Sequence, residues 1–370
     1  RCSHPKKFSN PRWKTQSMTE MMKAAVLVGP EKIETKLEPV PEMKAGDIRI
    51  RVCATGVCGS DVHMWKTGKG WNPNHKGDFW MGHEFCGVVE DPGTSDFQVG
   101  DRVVFWANLY CGECDMCRAG QEHLCREVNG TNYIGFVCNG AYAEKFVGPA
   151  RLAYRLPDTV SDVDAALIDP LMVAYHAVHL SNMKLHDKVL VVGSGIIAQL
   201  MGDLAKSAGA SLVAMSKTND RKLAKAREMG KFDRYIDGKD PNRRAVYEEV
   251  SQGGFDVVFE AFGSASALAA AMGAVKAGGT IVTVGNTIDP TIPFDINRLV
   301  LHEIRLVGSV SCTRKEFEET IDLIASGMIK PERYVTDIVP VEGMQHAFER
   351  LTSRTDPVLK IVMKPDAKAE

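Results

Sequence analysis

The chain has 370 residues, 44% hydrophobic and 25% charged, the usage of an ordinary globular protein with room for about two domains of ~150 residues. Lysine and arginine number 45 against 47 acids, and a net charge of −2 argues against nucleic acid or an anionic membrane as the main partner. No uncharged apolar run reaches the ~18 residues of a spanning helix, so membrane-spanning, fibrous and disordered classes are set aside.

Residues 1–17 carry Arg1, Lys6, Lys7, Arg12 and Lys14 with no acid and no apolar period, and read as a disordered extension or a tag. From Lys23 to Val28 the pattern is that of a strand, and Asp47–Cys53 alternates with period two. Short strands at Gly87–Glu90 and Arg102–Phe105 follow among frequent glycine turns, the texture of a small β domain or barrel.

Two short motifs in this stretch carry chemistry-bearing side chains. The first runs Cys58-Gly-Ser60-Asp61-Val-His63, and the second is Gly82-His83-Glu84. Together with Asp169, just before Pro170, they offer one thiolate, one imidazole and two carboxylates, a set suited to a catalytic zinc with an open position. Each also has a plain structural reading: Cys58 as a core cysteine, His83 as a satisfied buried histidine, Asp169 as a helix cap. Spacing alone does not join them.

Four of the ten cysteines, Cys111, Cys114, Cys117 and Cys125, fall within fifteen residues at the spacing C-x2-C-x2-C-x7-C. Four thiolates on one loop close a tetrahedral shell with no vacancy, as a structural zinc requires. An iron–sulfur cluster also takes four thiolates, but no second cluster motif accompanies these, so zinc is the expectation and His123 is surplus to the shell. Crowded cysteines in a chain this long read as metal ligands rather than disulfides, which points to a reducing, cytoplasmic setting.

The texture changes near residue 165. Ala165–His179 is helical in pattern, and Lys188–Val192 is a short apolar strand that runs into a glycine turn. Strand-like and helix-like segments then alternate at 211–215, 220–229, 255–260, 264–275 and 279–284, the signature of β-α-β units and a parallel sheet. A helix at Lys315–Ser326 and short β pieces close the chain.

The turn Gly193-Ser194-Gly195-Ile196-Ile197-Ala198 fits G-x-G-x-x-A directly after a strand and at the start of a helix. Gly193 allows the tight turn, Gly195 lets backbone N–H groups approach a pyrophosphate, and Ala198 keeps helix and strand close. The expected ligand is a dinucleotide. At the end of the next strand, where an acid normally accepts from the ribose 2′-hydroxyl, stands Lys217, followed by Arg221 and Lys222. Cations attract a 2′-phosphate, so NADP(H) is expected over NAD(H).

These residues resemble the zinc-dependent medium-chain dehydrogenase/reductase superfamily, nearest to its sorbitol/polyol dehydrogenase branch. The order of the first motif, Gly-His-Glu, the four-cysteine loop and the glycine turn carries the likeness from about Met22 to Lys364. The resemblance implies an α/β fold: a GroES-like catalytic domain (18–172 and 313–370) around a Rossmann domain (173–312). It also implies two zincs per chain and a homodimer or homotetramer. Cys58 and His83 inherit catalytic-zinc ligation, Glu84 ranks third, and Asp169 is a direct or water-bridged ligand. Ser60 and His63 occupy the proton-relay positions.

The implied reaction moves hydride between a secondary alcohol or polyol, or its ketone, and NADP(H). The alternatives are an NAD-dependent sugar-alcohol, sugar-alcohol-phosphate or threonine dehydrogenase and, more remotely, a non-catalytic zinc- and nucleotide-binding protein. Met64 stands where sorbitol dehydrogenases carry tyrosine, and Ser311-Cys312 where they carry Arg-Tyr, which argues against sorbitol itself. Trp65, Trp80 and Trp106 near the motifs are candidates for an apolar pocket or for core.

Overall fold

The computed structural model describes residues 19–70, 78–128, 132–217, 224, 226–228, 232–286, 291–353 and 355–368. Residues 1–17, Arg221 and Lys222 lie outside them. The chain builds two large sheets and a hairpin, Met21–Gly29 with Lys32–Pro39.

The first large sheet is centred on Asp47–Gly56, whose inner positions are apolar and buried. It pairs antiparallel with Glu84–Asp91 along one edge and with Lys145–Pro149 along the other. Arg102–Phe105 and Ala153–Arg155 extend it outward. Inside, Phe85, Phe105 and Phe146 stack at centroid distances of 5.1, 4.7 and 5.1 Å, and together they exclude water from the sheet's concave face. The last strand of the chain, Ile361–Met363, pairs with Thr55 and Gly56 of the central strand, and Asp337–Val339 lies parallel to it. Strands near residue 50 and near residue 360 therefore share one sheet.

The second sheet has six parallel strands in the spatial order 234–237, 212–217, 188–192, 255–260, 275–283, 305–308. The chain runs outward from Lys188–Val192 in one direction, then returns to Phe255–Glu260 and runs out the other way. That reversal opens a crevice at the carboxyl ends of 188–192 and 255–260, the usual seat of a ligand in such sheets. Strands buried on both faces read as unbroken apolar runs, as Val189–Val192 does.

Helix Ile168–Ser181 crosses the expected domain boundary at 172 without a break, so one rigid rod connects the two sheets. Helix Arg314–Ala325 packs against it, and helix Met344–Thr352 packs against helix Gly59–Thr67. Trp65, Trp80 and Trp106 are core residues: Trp65 meets the Phe348 ring at 5.7 Å, Trp106 lies between Tyr110 and Phe317, and Trp80 Nε1 donates to the Gly140 carbonyl. Among the described residues no helix is long and apolar enough to cross a membrane.

Candidate active site

Cys58 caps helix Gly59–Thr67, and its backbone N–H donates to Asp61 Oδ2 at 2.9 Å, closing the first turn on the Asp61 carboxylate. This cap fixes the Cys58 side chain at the end of the central strand. His83 and Glu84 begin the neighbouring strand, whose register places Glu84 opposite Gly56. The sheet thus brings together residues far apart in sequence, and ligand atoms of Cys58, His83 and Glu84 all lie within 4.8 Å of one another. Asp169 stands outside that trio. It sits in the first turn of helix Ile168–Ser181, close enough for its charge to act on His83, Glu84, Lys360 and Asp61.

The electrostatics call for a cation. Burial pushes the Asp169 carboxyl up to about 7, with Glu84 and Asp61 adding to the rise. Burial alone would depress the His83 imidazole, but the charges of Asp61 and Cys58 outweigh it and the ring is held well above its ordinary value. Lys360, itself buried, pairs with Glu84 Oε2 and donates to the Val57 carbonyl at 2.9 Å. A thiol and three carboxyls thus gather around His83, with Lys360 paired to one of them. Zinc fits this set: it takes thiolate, imidazole and carboxylate together and relieves the excess of negative charge.

His83 Nδ1 lies 3.3 Å from Asp61 Oδ1, an ion-pair contact that favours Nε2 as the ring's ligand atom. Phe136 meets the His83 ring edge-on at 4.9 Å, and Tyr133 stands behind Phe136 at 5.4 Å. Burial and the Asp169 charge push the Tyr133 hydroxyl up to about 12, so it is a neutral donor at physiological pH. Cys312 lies just beyond the last strand of the parallel sheet and reaches Met172 Sδ at 3.3 Å, on the helix that carries Asp169. The end of the parallel sheet therefore abuts the catalytic metal set. Ser60 Oγ is buried with no hydrogen-bond partner among the described residues, whereas His63, one turn along the same helix, is exposed.

The four-cysteine loop forms a second compact centre. Cys111 Sγ lies 3.5 Å from Cys125 Sγ and 3.9 Å from Cys117 Sγ, and Cys114 Sγ lies 3.9 Å from Cys125 Sγ. Sulfurs ~2.3 Å from one zinc ion are about 3.8 Å apart, so the shell has the right size. Backbone N–H groups of Glu113 and Cys114 donate to Cys111 Sγ, and that of Cys111 to Cys125 Sγ, which favours the thiolates. His123 is buried against His176, outside the sulfur shell.

At the crevice of the parallel sheet, Gly193 adopts φ +144 with Ala261 Cβ only 3.3 Å from where a side chain would begin. Gly195 caps helix Ile196–Ser207, and a Cβ there would meet nothing within 4 Å, an open space above the first N–H groups, those of Ile196 and Ile197. Ser194 Oγ is buried with no hydrogen-bond partner among the described residues. Beside that space, Gly193, Ser216, Lys217, Lys239, Arg243 and Phe262 line a cavity of about 400 Å³. Lys217 Nζ lies 4.9 Å from the centre of the Phe262 ring.

Two family models match the chain, an alcohol dehydrogenase GroES-like domain at residues 44–158 and a zinc-binding dehydrogenase at 197–326. An L-threonine 3-dehydrogenase of Rhizobium rhizogenes is 32% identical over 91% of the chain and 97% of its own length. The chain belongs to the zinc-containing medium-chain alcohol dehydrogenase family. The sorbitol dehydrogenase of Bacillus subtilis is 28% identical, covering 95% of the chain and 99% of that protein. A candidate zinc-binding dehydrogenase from Sinorhizobium meliloti, solved with NADP, superposes with a TM-score of 0.83 at 29% identity, covering 94% of this chain and all of the other. This medium-chain dehydrogenase is accordingly a zinc-dependent enzyme acting on CH–OH groups of alcohols or polyols with a nicotinamide cofactor.

Three residues of the site have roles that the sequence reading missed. Asp61 stands in plain view in the first motif, yet its contact with His83 depends on strand pairing. Lys360 reaches Glu84 across 276 positions of sequence, and Tyr142 reaches Asp61 across 81. The Cys-x-x-Asp spacing that forms the helix cap is the one signal that singles out Asp61.

Proposed function

We propose that the enzyme interconverts a secondary alcohol or polyol and its ketone with NADP(H) as the preferred cofactor. The observation that carries the cofactor preference is Lys217. It ends the second strand of the parallel sheet, where an acid would otherwise accept from the ribose 2′-hydroxyl, and it lines one cavity with Lys239 and Arg243. Such a pocket favours a 2′-phosphate, and among the described residues no carboxylate lines it.

In this reading Cys58, His83 and Glu84 hold the catalytic zinc with Asp169 beside them, and Cys111, Cys114, Cys117 and Cys125 hold the structural one. When bound, the zinc would supply a Lewis acid to the alcohol oxygen and the nicotinamide a hydride acceptor. Ser60 accepts the hydroxyl proton at its buried oxygen as it releases its own toward the cofactor ribose and His63, and exposed His63 passes a proton to water. Gly193, Ser194, Gly195 and the N–H groups of Ile196 and Ile197 cradle the pyrophosphate. Residues 18–172 and 313–370 act as the catalytic unit and 173–312 as the cofactor unit.

A homodimer or homotetramer is supported by the edge of the parallel sheet. There Leu306 and the neighbouring Ile296, Val300 and Leu301 are exposed. A cytoplasmic setting is supported by the nine described cysteines, all free thiols.

The test is a panel of secondary alcohols and polyols assayed with both cofactors, in the native enzyme and in Lys217→Asp. The native enzyme should show the higher kcat/KM with NADP+. Lys217→Asp should lower that value about tenfold or more through lost charge-assisted contacts and raise the value with NAD+. A variant whose preference does not move overturns the cofactor assignment.

A further inference from the structure

Asp61 is fully buried, and its two oxygens are used differently. Oδ1 faces His83 Nδ1 at 3.3 Å, whereas Oδ2 accepts from the Cys58 backbone N–H at 2.9 Å and from the Tyr142 hydroxyl at 2.7 Å. The tyrosine donation is the shorter of the two on that oxygen. It also settles which oxygen is left over for the histidine.

Tyr142 is itself built against the second ligand motif. Its side chain is fully buried, and its ring meets Phe348 at 6.2 Å in an edge-on contact. Its backbone N–H donates to the Met81 carbonyl at 3.0 Å, and the preceding N–H, of Ala141, donates to the Gly82 carbonyl at 2.9 Å. Gly82 adopts φ +101, and a Cβ there would lie 2.8 Å from Tyr142 N and 2.9 Å from the tyrosine ring. The turn that delivers His83 and the residue that grips Asp61 are therefore packed into each other with no slack.

We propose that Tyr142 is a positioning residue for the catalytic metal: its hydroxyl clamps Asp61 so that the free carboxylate oxygen holds the His83 ring in the tautomer and orientation that present Nε2 to the ion. A carboxylate gripped at one oxygen by two donors is held against rotation, and its other oxygen, at ion-pair distance from Nδ1, favours the tautomer that keeps the second ring nitrogen as a lone-pair donor. Removing the hydroxyl leaves the carboxylate free to tilt within its pocket. The hydroxyl's other neighbour is the Gly56 carbonyl at 3.2 Å, and the shorter contact is the one to Asp61, through which the effect reaches the metal.

The experiment compares Tyr142→Phe, Asp61→Asn and the double variant with the native holoenzyme. Zinc affinity at each of the two sites is read by chelator competition, and the catalytic site by the visible spectrum after cobalt substitution. Outer-shell partners of metal-bound histidines typically set affinity by about 10–100-fold. Tyr142→Phe should weaken the catalytic site about tenfold and shift the cobalt bands, with the four-cysteine site unchanged. Asp61→Asn should weaken it further, and Tyr142→Phe in that background should add little, because the two act in series. Phenylalanine keeps the ring packing, and a thermal melt of the same samples reports folding. Should Tyr142→Phe prove unstable, the cobalt spectrum of Asp61→Asn with Tyr142 intact still tests the series. A native spectrum there, unchanged zinc affinity in Tyr142→Phe, or additive losses in the double variant overturn the proposal.

Discussion

At the scale of single residues, the buried pair Glu84–Lys360 is costly to separate. Both side chains are about 1% exposed, so neither charge has water to fall back on. Removing one partner of such a pair leaves an uncompensated buried charge, at a cost of about 3–5 kcal/mol. Lys360→Met, close in length but uncharged, should lower the unfolding free energy of the enzyme stripped of its catalytic zinc by that amount in a denaturant titration. A loss below about 1 kcal/mol would mean that Glu84 finds a second cation instead. The residue types at 58, 83, 84 and 111–125 are legible in the sequence because thiolates, imidazoles and carboxylates are rare outside such roles when grouped. Lys360 is not, since a lysine in an apolar strand near the end of a chain carries no mark of what it faces.

At the scale of elements, the glycine turn separates fold from function. Gly195 has extended dihedrals, φ −71 and ψ 179, that any residue adopts, and a Cβ there would project into open space. Gly195→Val should cost the fold only about 1 kcal/mol, through the weaker helix cap, yet block the pyrophosphate cradle. Melting of the cofactor-free protein should move by a few degrees at most, while dinucleotide affinity in a fluorescence titration falls tenfold or more. An unchanged dissociation constant would remove the turn from the cofactor site.

The elements themselves were largely legible from local pattern: strand 102–105 ends where the sequence pattern ends, and helix 314–325 differs from its expected range by one residue at each end. Patterns of period two and 3.6 are local, so they survive the loss of all tertiary information. Helix Ile168–Ser181 was harder, because its apolar run continues across the point where the chain changes sheets. The ribose-end helix start expected at 220–229, with Arg221 and Lys222, falls for the most part outside the described residues.

At the scale of the whole molecule, the two units are joined where helix Arg314–Ala325 meets helix Ile168–Ser181. Glu316 closes the capping box of the first helix on Thr313 and takes His176 Nδ1 at 2.8 Å and His179 Nδ1 at 2.7 Å from the second. Burial pushes the Glu316 carboxyl up, but the hydrogen bonds from His176 and Thr313 outweigh it and bring it down to about 2, from an ordinary 4.5. A carboxyl lowered in the folded state stabilises above its unfolded pKa and loses that contribution as pH falls through the folded one. The native protein should therefore lose about 3 kcal/mol between pH ~4.5 and ~2 that Glu316→Gln never had. The difference in unfolding free energy between the two proteins should be widest at neutral pH and close toward pH 2. A difference independent of pH would remove Glu316 as the acid-sensitive joint.

A second contact between the units lies at Asp203, on the helix that begins at the glycine turn, where Arg333 and the Tyr334 hydroxyl converge on one carboxylate oxygen. None of these joints was visible before the fold was known, because each pairs residues more than a hundred positions apart.

The placement of the final strand also bears on synthesis. Strand Ile361–Met363 completes the sheet that carries Cys58, and Lys360 neutralises Glu84 from 276 positions downstream. At ~5–20 residues per second, a ribosome makes the first half of this catalytic centre roughly 14 to 55 seconds before the last. Throughout that interval the nascent polypeptide displays an unpaired sheet edge and a carboxylate without its lysine. Chaperones have their longest opportunity to bind during that wait, and a polypeptide cut before residue 361 would hold the metal-site ligands with their enclosure unfinished.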